Sequence, residues 1–377
     1  MAGLYVHIPF CGSRCIYCGF YSTTLSSLRG DYVKALCREL ALRHDYIREP
    51  IETVYLGGGT PSQLGGEELE KLFGAIHIYN KVYGISTDAE VTMECNPDDV
   101  TPDFAATISR LPVNRVSMGV QTFDDNRLRF IRRRHTAAQV HNAIGLLRHA
   151  GIGNISIDLM FGFPGETTEQ WDKDITCALS LGVQHISAYA LTFEEGTPLH
   201  AMMERGEVAE TDEETSRSMY YMLADRMCEA GYEHYEISNF ARPGFRSRHN
   251  GSYWKGIPYI GIGAAAHSFD TVSRQWNIAD VRRYMDSINR GIVPMEREEL
   301  DMPARYNDMV MTSLRTCEGI DLHIMEERFG KEYVRYMLAN ADRHVSAGLL
   351  SLSKSHLRLT RDGLFVSDSV MCDLMKV

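Results

Sequence analysis

Leu4-Tyr5-Val6-His7-Ile8-Pro9-Phe10-Cys11-Gly12-Ser13-Arg14-Cys15-Ile16-Tyr17-Cys18 is a short apolar run that breaks at a proline and then places three cysteines within eight residues. The run reads as a β-strand and the cysteines as a loop at its carboxyl end. Three thiolates on one tight loop suit a metal centre. A structural zinc site takes four ligands, normally from paired knuckles, and Cys37, Cys95, Cys177, Cys228, Cys317 and Cys372 provide no second knuckle. A four-iron cluster usually has four cysteines. Held by three it keeps one iron open, as catalytic metal sites keep a position for substrate. The spacing favours a [4Fe-4S] cluster on Cys11, Cys15 and Cys18, with a zinc loop as the alternative. The other six read as small buried hydrophobes, Cys37 sharing a helical stripe with Tyr32, Val33, Leu36 and Leu40.

Downstream of the cysteines, β-rich apolar runs alternate with longer amphipathic stretches. Strands are predicted at 4–8, 53–56, 90–94, 115–119, 155–160 and 185–190, and helices near 29–47, 66–82, 102–110, 136–150, 167–181 and 212–230. Six βα repeats with near-continuous apolar strands imply a parallel sheet covered by helices, either an open Rossmann-like sheet or a full or partial barrel. In both, chemistry gathers at the carboxyl ends of the strands. The polar and glycine residues fall there: Gly57-Gly58-Gly59-Thr60-Pro61 after strand two, Glu94, Gln121, Asp158 and Thr192 after the next four. Taken singly, such residues are most often tight turns and helix caps; together they describe one rim. Glycines allow close approach of a ligand, and Glu94 and Asp158 could hold an ammonium group and ribose hydroxyls. S-adenosylmethionine has an amino acid end to chelate an open iron, a ribose, and a sulfonium that an electron from the cluster would cleave.

Composition limits what else the chain does. Its 377 residues, at ~150 per domain, allow one large domain and a small one, or two to three ordinary ones, and 44% hydrophobic with 24% charged residues is ordinary globular usage. The net charge of −11 argues against a protein that grips nucleic acid by neutralising phosphates. Nine cysteines are an odd number for a disulfide framework. With no run as long as a membrane span and no signal-like start, a cytoplasmic location is expected.

The motifs around these positions resemble the radical S-adenosylmethionine superfamily, and within it the oxygen-independent coproporphyrinogen III oxidase group with its haem chaperone branch. The resemblance is carried by His7-Ile8-Pro9-Phe10-Cys11, Tyr17, Leu56 to Pro61, Ser117-Met118-Gly119-Val120-Gln121-Thr122-Phe123 and Asp158 to Gly165, over about two thirds of the chain. It implies a partial (β/α)6 TIM-like barrel, cluster ligation by Cys11, Cys15 and Cys18, and cofactor contacts from Tyr5, Gly58, Gly59, Thr60, Glu94, Gln121, Arg133 and Asp158. The oxidase carries an N-terminal extension and a further cysteine two positions after the cluster. Here the first strand starts at Leu4, the position is Phe20, and His267 stands where the oxidase has an apolar residue beside its second cofactor. An oxidase-like protein without decarboxylation is therefore expected, with oxygen-independent coproporphyrinogen oxidation in porphyrin biosynthesis as the alternative.

The chaperone branch has the signature HNxxYW, here His249-Asn250-Gly251-Ser252-Tyr253-Trp254. Imidazole is a normal haem iron ligand, Tyr253 and Trp254 offer faces to a macrocycle, and Arg246, Arg248 and Lys255 could pair with propionates. A histidine beside aromatics is more often structural; the resemblance implies haem binding at His249. It also implies delivery to apo-haemoproteins such as respiratory-chain components, an electron donor for the cluster, and peripheral membrane contact through those partners. Residues 1–235 read as the barrel and 236–300 as a connecting region, with 239–263 irregular and over the barrel mouth and a helix near 278–290. Residues 301–377 read as a small winged-helix-like domain, with helices at 303–316, 321–329, 331–347 and 361–374 and a hairpin at 350–359, that serves as a lid or docking surface.

Overall fold

The computed structural model describes residues 1–376, and the side chains of all of these except 79–83. Six parallel strands build the core sheet in chain order: β1 (Ala2–Ile8), β2 (Ile51–Gly58), β3 (Ile85–Cys95), β4 (Arg115–Gln121), β5 (Asn154–Phe161) and β6 (His185–Ala190). Each is followed by at least one helix, so consecutive strands run the same way and neighbour each other. The outward residues Leu4, Val6, Leu56, Met93, Val116, Ile157 and Ile186 lie in one buried core with Leu36, Leu72, Ile144, Leu147 and Ile175 of the surrounding helices.

The strands are not continuously apolar, as the sequence reading expects; they alternate. Tyr5 and His7, Thr53 and Tyr55, Thr92 and Glu94, Ser117, Ser156 and Asp158, His185 and Ser187 occupy every second position. Period-two geometry sends all of them to the inner face. A sheet with apolar helices outside and this inner face is a partial barrel with a polar lining, parts of which are packed and hydrogen-bonded, as Ser156 is to His185 and Ser187 to Asn239. The helices end where capping chemistry dictates. Thr136 with Gln139 and Thr167 with Gln170 form capping boxes at the starts of Ala137–His149 and Thr168–Ser180.

The stretch expected to be irregular is instead part of the sheet. After β7 (Glu233–Glu236) and β8 (Asn239–Ala241), which pair antiparallel beyond β6, the helix Arg248–Trp254 leads into β9 (Tyr259–Ile262). β9 pairs parallel with β1, Gly3 opposite Tyr259. β10 (His267–Phe269), β11 (Ser273–Asn277) and β12 (Met295–Glu299) extend that edge antiparallel, giving the order β12-β11-β10-β9-β1-β2-β3-β4-β5-β6-β8-β7. The helix Arg248–Trp254 does not lie over the mouth: its contacts with Gly3 and Thr53, near the amino ends of β1 and β2, place it on the barrel floor.

A separate core of Tyr306, Val310, Leu314, Met325, Met337, Leu357 and Leu374 belongs to the C-terminal part. Its sheet has three strands rather than a hairpin alone, β13 (Ile320–Asp321), β14 (Leu350–Ser353) and β15 (His356–Leu359), in the order β13-β15-β14, and its last predicted helix divides at Val366. Arg315 ties it to the barrel: its Nε and Nη2 both lie 3.0 Å from Oε1 of the buried Glu236.

Candidate functional site

The cysteine loop leaves β1 at Pro9 and is pinned by backbone bonds. Thr23 N–H donates to Pro9 O (2.7 Å), Cys11 N–H to Thr23 O (2.9 Å) and Cys18 N–H to Cys15 O (3.4 Å). Ile16 is buried against Ile131, Phe163 and Leu191, which fixes the loop over the carboxyl ends of β4 to β6. Thr60 Oγ1 donates to Cys11 Sγ at 3.6 Å. Burial pushes the Cys11 and Cys18 thiols up, and the neighbouring cysteines add to it; a bound metal reverses this, since its charge deprotonates coordinating thiols. Cys11, Cys15 and Cys18 lie on one loop, near enough to act on one another electrostatically, and a donor set of three thiols fits a four-iron cluster with one iron left open.

The glycine run after β2 wraps the same end. Gly59 N–H donates to Ile8 O and Thr60 N–H to Phe10 O, each at 2.8 Å, locking this loop to the cysteine loop. Gly58 has φ +106° and donates its N–H to Glu94 Oε2 at 3.1 Å. A Cβ there would stand 2.4 Å from the His7 ring, so position 58 admits only glycine. Glu94 Oε1 accepts from Tyr55 Oη at 2.7 Å. Burial, with Asp158 adding, pushes its carboxyl up to about 7 against the opposing Tyr55 hydrogen bond. Asp158 is also raised by burial, and Ser117 Oγ lies 3.5 Å from it. Gln121, at φ +68°, turns the chain out of β4.

Arg133 is near enough to Asp158 to draw its carboxyl down against burial. Its Nη1 donates to Asn96 Oδ1 at 2.6 Å, but the buried Nε has no partner. Gly119 leaves room for the guanidinium: a Cβ there would stand 2.3 Å from Nη2. An unpartnered buried N–H is costly, and a ligand carboxylate would satisfy it. One rim thus offers a cation to a carboxylate, two acids to an ammonium and hydroxyls, and glycine backbone to a close approach. These residues fit S-adenosylmethionine. Tyr5 lies deeper, its hydroxyl 3.0 Å from His7 Nδ1.

Several residues of this interior are missed by sequence reasoning. Arg115, 1% exposed at the start of β4 with an unpartnered Nε, lies one layer below Ser117 and draws the carboxyls of Glu94 and Asp158 down against their burial. Tyr55 and His7 pack beneath the glycine run. Their signal is the polar half of the strand alternation.

His249 is placed differently from the open imidazole that the sequence reading expects. It is 1% exposed. Its Nδ1 lies 2.8 Å from Thr53 Oγ1, its Nε2 lies 2.8 Å from Tyr253 Oη, and its backbone N–H donates to Glu90 Oε1 at 2.9 Å. The ring stacks on Tyr55 at 5.0 Å and 22°. Burial, helped by Arg115, holds it neutral with a pKa down to about 3. Both ring nitrogens face hydroxyl groups of the protein. Two of the three cations expected for propionates are ion-paired: Arg246 with Glu233 and Glu318, Arg248 with Glu52 and Asp88. Trp254 packs against Arg315. His249 is a floor plug, and His249→Ala should lower unfolding free energy by about 2–4 kcal/mol, because it opens a cavity and strands the Thr53 and Tyr253 hydroxyls. Denaturant titration checks this; an unchanged midpoint would mean the ring contributes nothing.

Comparison with known proteins places these features. The Radical SAM superfamily model matches residues 5–178, and the HemN C-terminal domain model matches residues 300–366. The chain is 34% identical to the heme chaperone HemW of Bacillus subtilis over 98% of both chains. It is also 34% identical to the heme chaperone HemW of Mycobacterium tuberculosis, over 99% of this chain and 94% of that one. Identity to the mitochondrial radical S-adenosyl methionine domain-containing protein 1 of Mus musculus is 30%, over 99% and 87%. The solved coproporphyrinogen III oxidase HemN of Escherichia coli superposes with a TM-score of 0.85 at 20% identity, covering 100% of this chain and 90% of that one, a likeness of fold.

Proposed function

Because the chain belongs to the radical S-adenosylmethionine superfamily, in the heme chaperone HemW branch of its coproporphyrinogen oxidase-like group, we propose that it binds haem and delivers it to apo-haemoproteins. In this reading Cys11, Cys15 and Cys18 hold a [4Fe-4S] cluster, and Gly58, Gly59, Thr60, Glu94, Gln121, Arg133 and Asp158 hold S-adenosylmethionine, with Tyr5 beneath them. The observation that carries it is the relationship to heme chaperones along nearly the whole chain, barrel and C-terminal part alike.

Held by Cys11, Cys15 and Cys18, the cluster would supply an electron-transfer centre. The protein's own part is to place and shield. Arg133 offers its unpartnered Nε to a carboxylate, Glu94 and Asp158 offer acceptors, and the interlocked loops at Pro9 and Gly59 keep cluster and cofactor in register. Phe20, 72% exposed at the edge of the cysteine loop, stands where the oxidase has its additional cysteine, which favours the carrier over the oxidase. Haem recipients in the respiratory chain, an electron donor for the cluster and a cytoplasmic location with membrane contact only through partners complete the proposal. Among the described residues no helix is long and apolar enough to cross a membrane.

Two measurements test it. Haemin added to the purified protein should give a shifted Soret band of one-to-one stoichiometry, and the loaded protein should pass haem to an apo-haemoprotein; no shift would overturn the reading. Reconstituted protein supplied anaerobically with coproporphyrinogen III, reductant and S-adenosylmethionine should form no protoporphyrinogen. Its formation would replace the carrier with the oxidase.

A further inference from the structure

An arginine side chain carries five N–H donors and a fixed charge, so a buried one is normally hydrogen-bonded and paired. Arg43 obeys this: it bonds Glu39, the Gly261 carbonyl, Ser268 and Gln275. Arg115 does not. It is 1% exposed, and among the described residues none of its side-chain nitrogens has a hydrogen-bond or ion-pair partner.

Its neighbours in the sheet repeat the anomaly. Thr92 of β3 is the register partner of Arg115 on one side, and Asn154 of β5 is its partner on the other. Partners in a ladder share a face, so the three side chains form one row across the inner wall. Thr92 is 0% exposed with an unpartnered Oγ1, and the buried Oδ1 of Asn154 also has no partner. Three adjacent strands thus each leave a buried polar side-chain atom unsatisfied in one layer, and such a set calls for an occupant. The row continues through Tyr55, opposite Thr92, to the His249 ring stacked on it. Arg115 is near enough to act electrostatically on His249, His185 and Glu94, which sets the layer between the floor helix and the rim.

The occupant must answer a charge. Water would satisfy the donors but leave a buried cation without a counter-ion. The protein's own acids stand higher: Glu94 is two residues beyond Thr92 and Asp158 four beyond Asn154, about 7 Å and about 13 Å of strand rise. The planar guanidinium matches a carboxylate at two points. The Thr92 hydroxyl adds a further donor, and a half turn of the Asn154 amide presents its NH2.

We propose that Arg115 and Thr92, with Asn154 beside them, form a binding site for one carboxylate group inside the barrel, between the cofactor rim and the floor helix. Two sources present that chemistry: a free small carboxylic acid, and a propionate of the haem. Only the second rests on the carrier reading.

The test titrates sodium acetate into wild type, Arg115→Gln and Thr92→Val and reads the melting temperature, with acetamide and sodium chloride of equal ionic strength as controls. Acetate should raise the wild-type value saturably beyond both controls. R115Q should lose that response, and T92V should need about tenfold more acetate, the loss of one hydrogen bond to a charged group. T92V keeps the test decisive if R115Q does not fold, because its hydroxyl has no protein partner to lose. Haemin and haemin dimethyl ester then separate the sources. If a propionate fills the site, acetate competes with haemin, and T92V weakens haemin but not the ester. If a free acid fills it, acetate leaves haemin binding unchanged. An acetate response equal to the controls, together with equal haemin affinity in wild type and T92V, overturns the site. A wild type that responds to acetate but binds no haem sinks the carrier reading alone and leaves the site standing.

Discussion

Alanine at Cys11, Cys15 or Cys18 should abolish the thiolate-to-iron absorbance of anaerobically reconstituted protein, while Cys37→Ala should leave it intact. The effect is all-or-none because three protein ligands are the fewest that hold a four-iron cluster with one iron open to the cofactor; removal of any one leaves two. Cys37 is a fair control, since it too is half-buried. It sits on the helix Arg29–Leu42 with its Sγ 3.9 Å from Lys71 O, away from the loop. Iron and sulfide analysis would accompany the spectra. Equal bleaching in C37A would mean that the loop is not the ligand set, and stoichiometric zinc without sulfide would mean that the centre is not a cluster.

The loss should be one of cofactor rather than of fold. The loop's anchors are backbone bonds at Thr23 and Ile131 and the apolar packing of Ile16, none of which uses a thiol. The alanine variants should therefore keep the circular dichroism of the wild type.

The barrel and its rim were legible in the sequence because their signals are local. Each strand contains a compact β-rich run, several helices start at a capping side chain such as Thr101, Thr136, Thr167 or Asp212, and the polar rim residues stand next in the chain to the strands that carry them. The floor was not legible, for a physical reason. Tyr259-Ile260-Gly261-Ile262 is four residues long and half of a glycine-rich run, and it becomes a strand only by pairing with β1, more than 250 residues earlier in the chain. His249 reads as an open ligand beside two aromatics until Thr53 and Glu90, from two other strands, arrive to occupy it. Arg115 looks like an ordinary cation at the start of a strand, and only closure of the barrel buries it. Proximity in sequence identified the motif HNxxYW; only proximity in space shows what its histidine touches.

Glu94 should make S-adenosylmethionine binding pH-dependent. Its carboxyl is pushed up to about 7 chiefly by burial, so the ligand-free protein near neutrality holds a mixture of acid and carboxylate, and a cationic ligand selects the carboxylate. Affinity should then rise by about tenfold between about pH 6 and about pH 8, the factor expected when a group titrating near 7 must lose its proton to bind. The sign for stability runs the other way. The folded pKa is raised above the unfolded value, so Glu94's contribution to stability is fully present below the unfolded pKa of 4.5 and is lost as pH rises through about 7. Ligand-free protein should therefore melt lower at the higher pH while the rise in melting temperature caused by the cofactor grows. Glu94→Gln keeps the shape, its amide oxygen accepting from Gly58 N–H while its amide N–H donates to the Tyr55 hydroxyl, which must reverse its own bond, but it cannot ionise. It should bind about 10–100-fold more weakly above neutrality, the loss of one charge-assisted hydrogen bond in a buried site, and its affinity should be flat across the same range once the pH dependence of Asp158 is subtracted with Asp158→Asn. Calorimetric titration of cluster-loaded protein measures both. If E94Q followed the wild-type pH curve, the ionisation would belong to another group, and Glu94 would be a fixed acceptor held by Tyr55 rather than the acid that meets the ligand's charge.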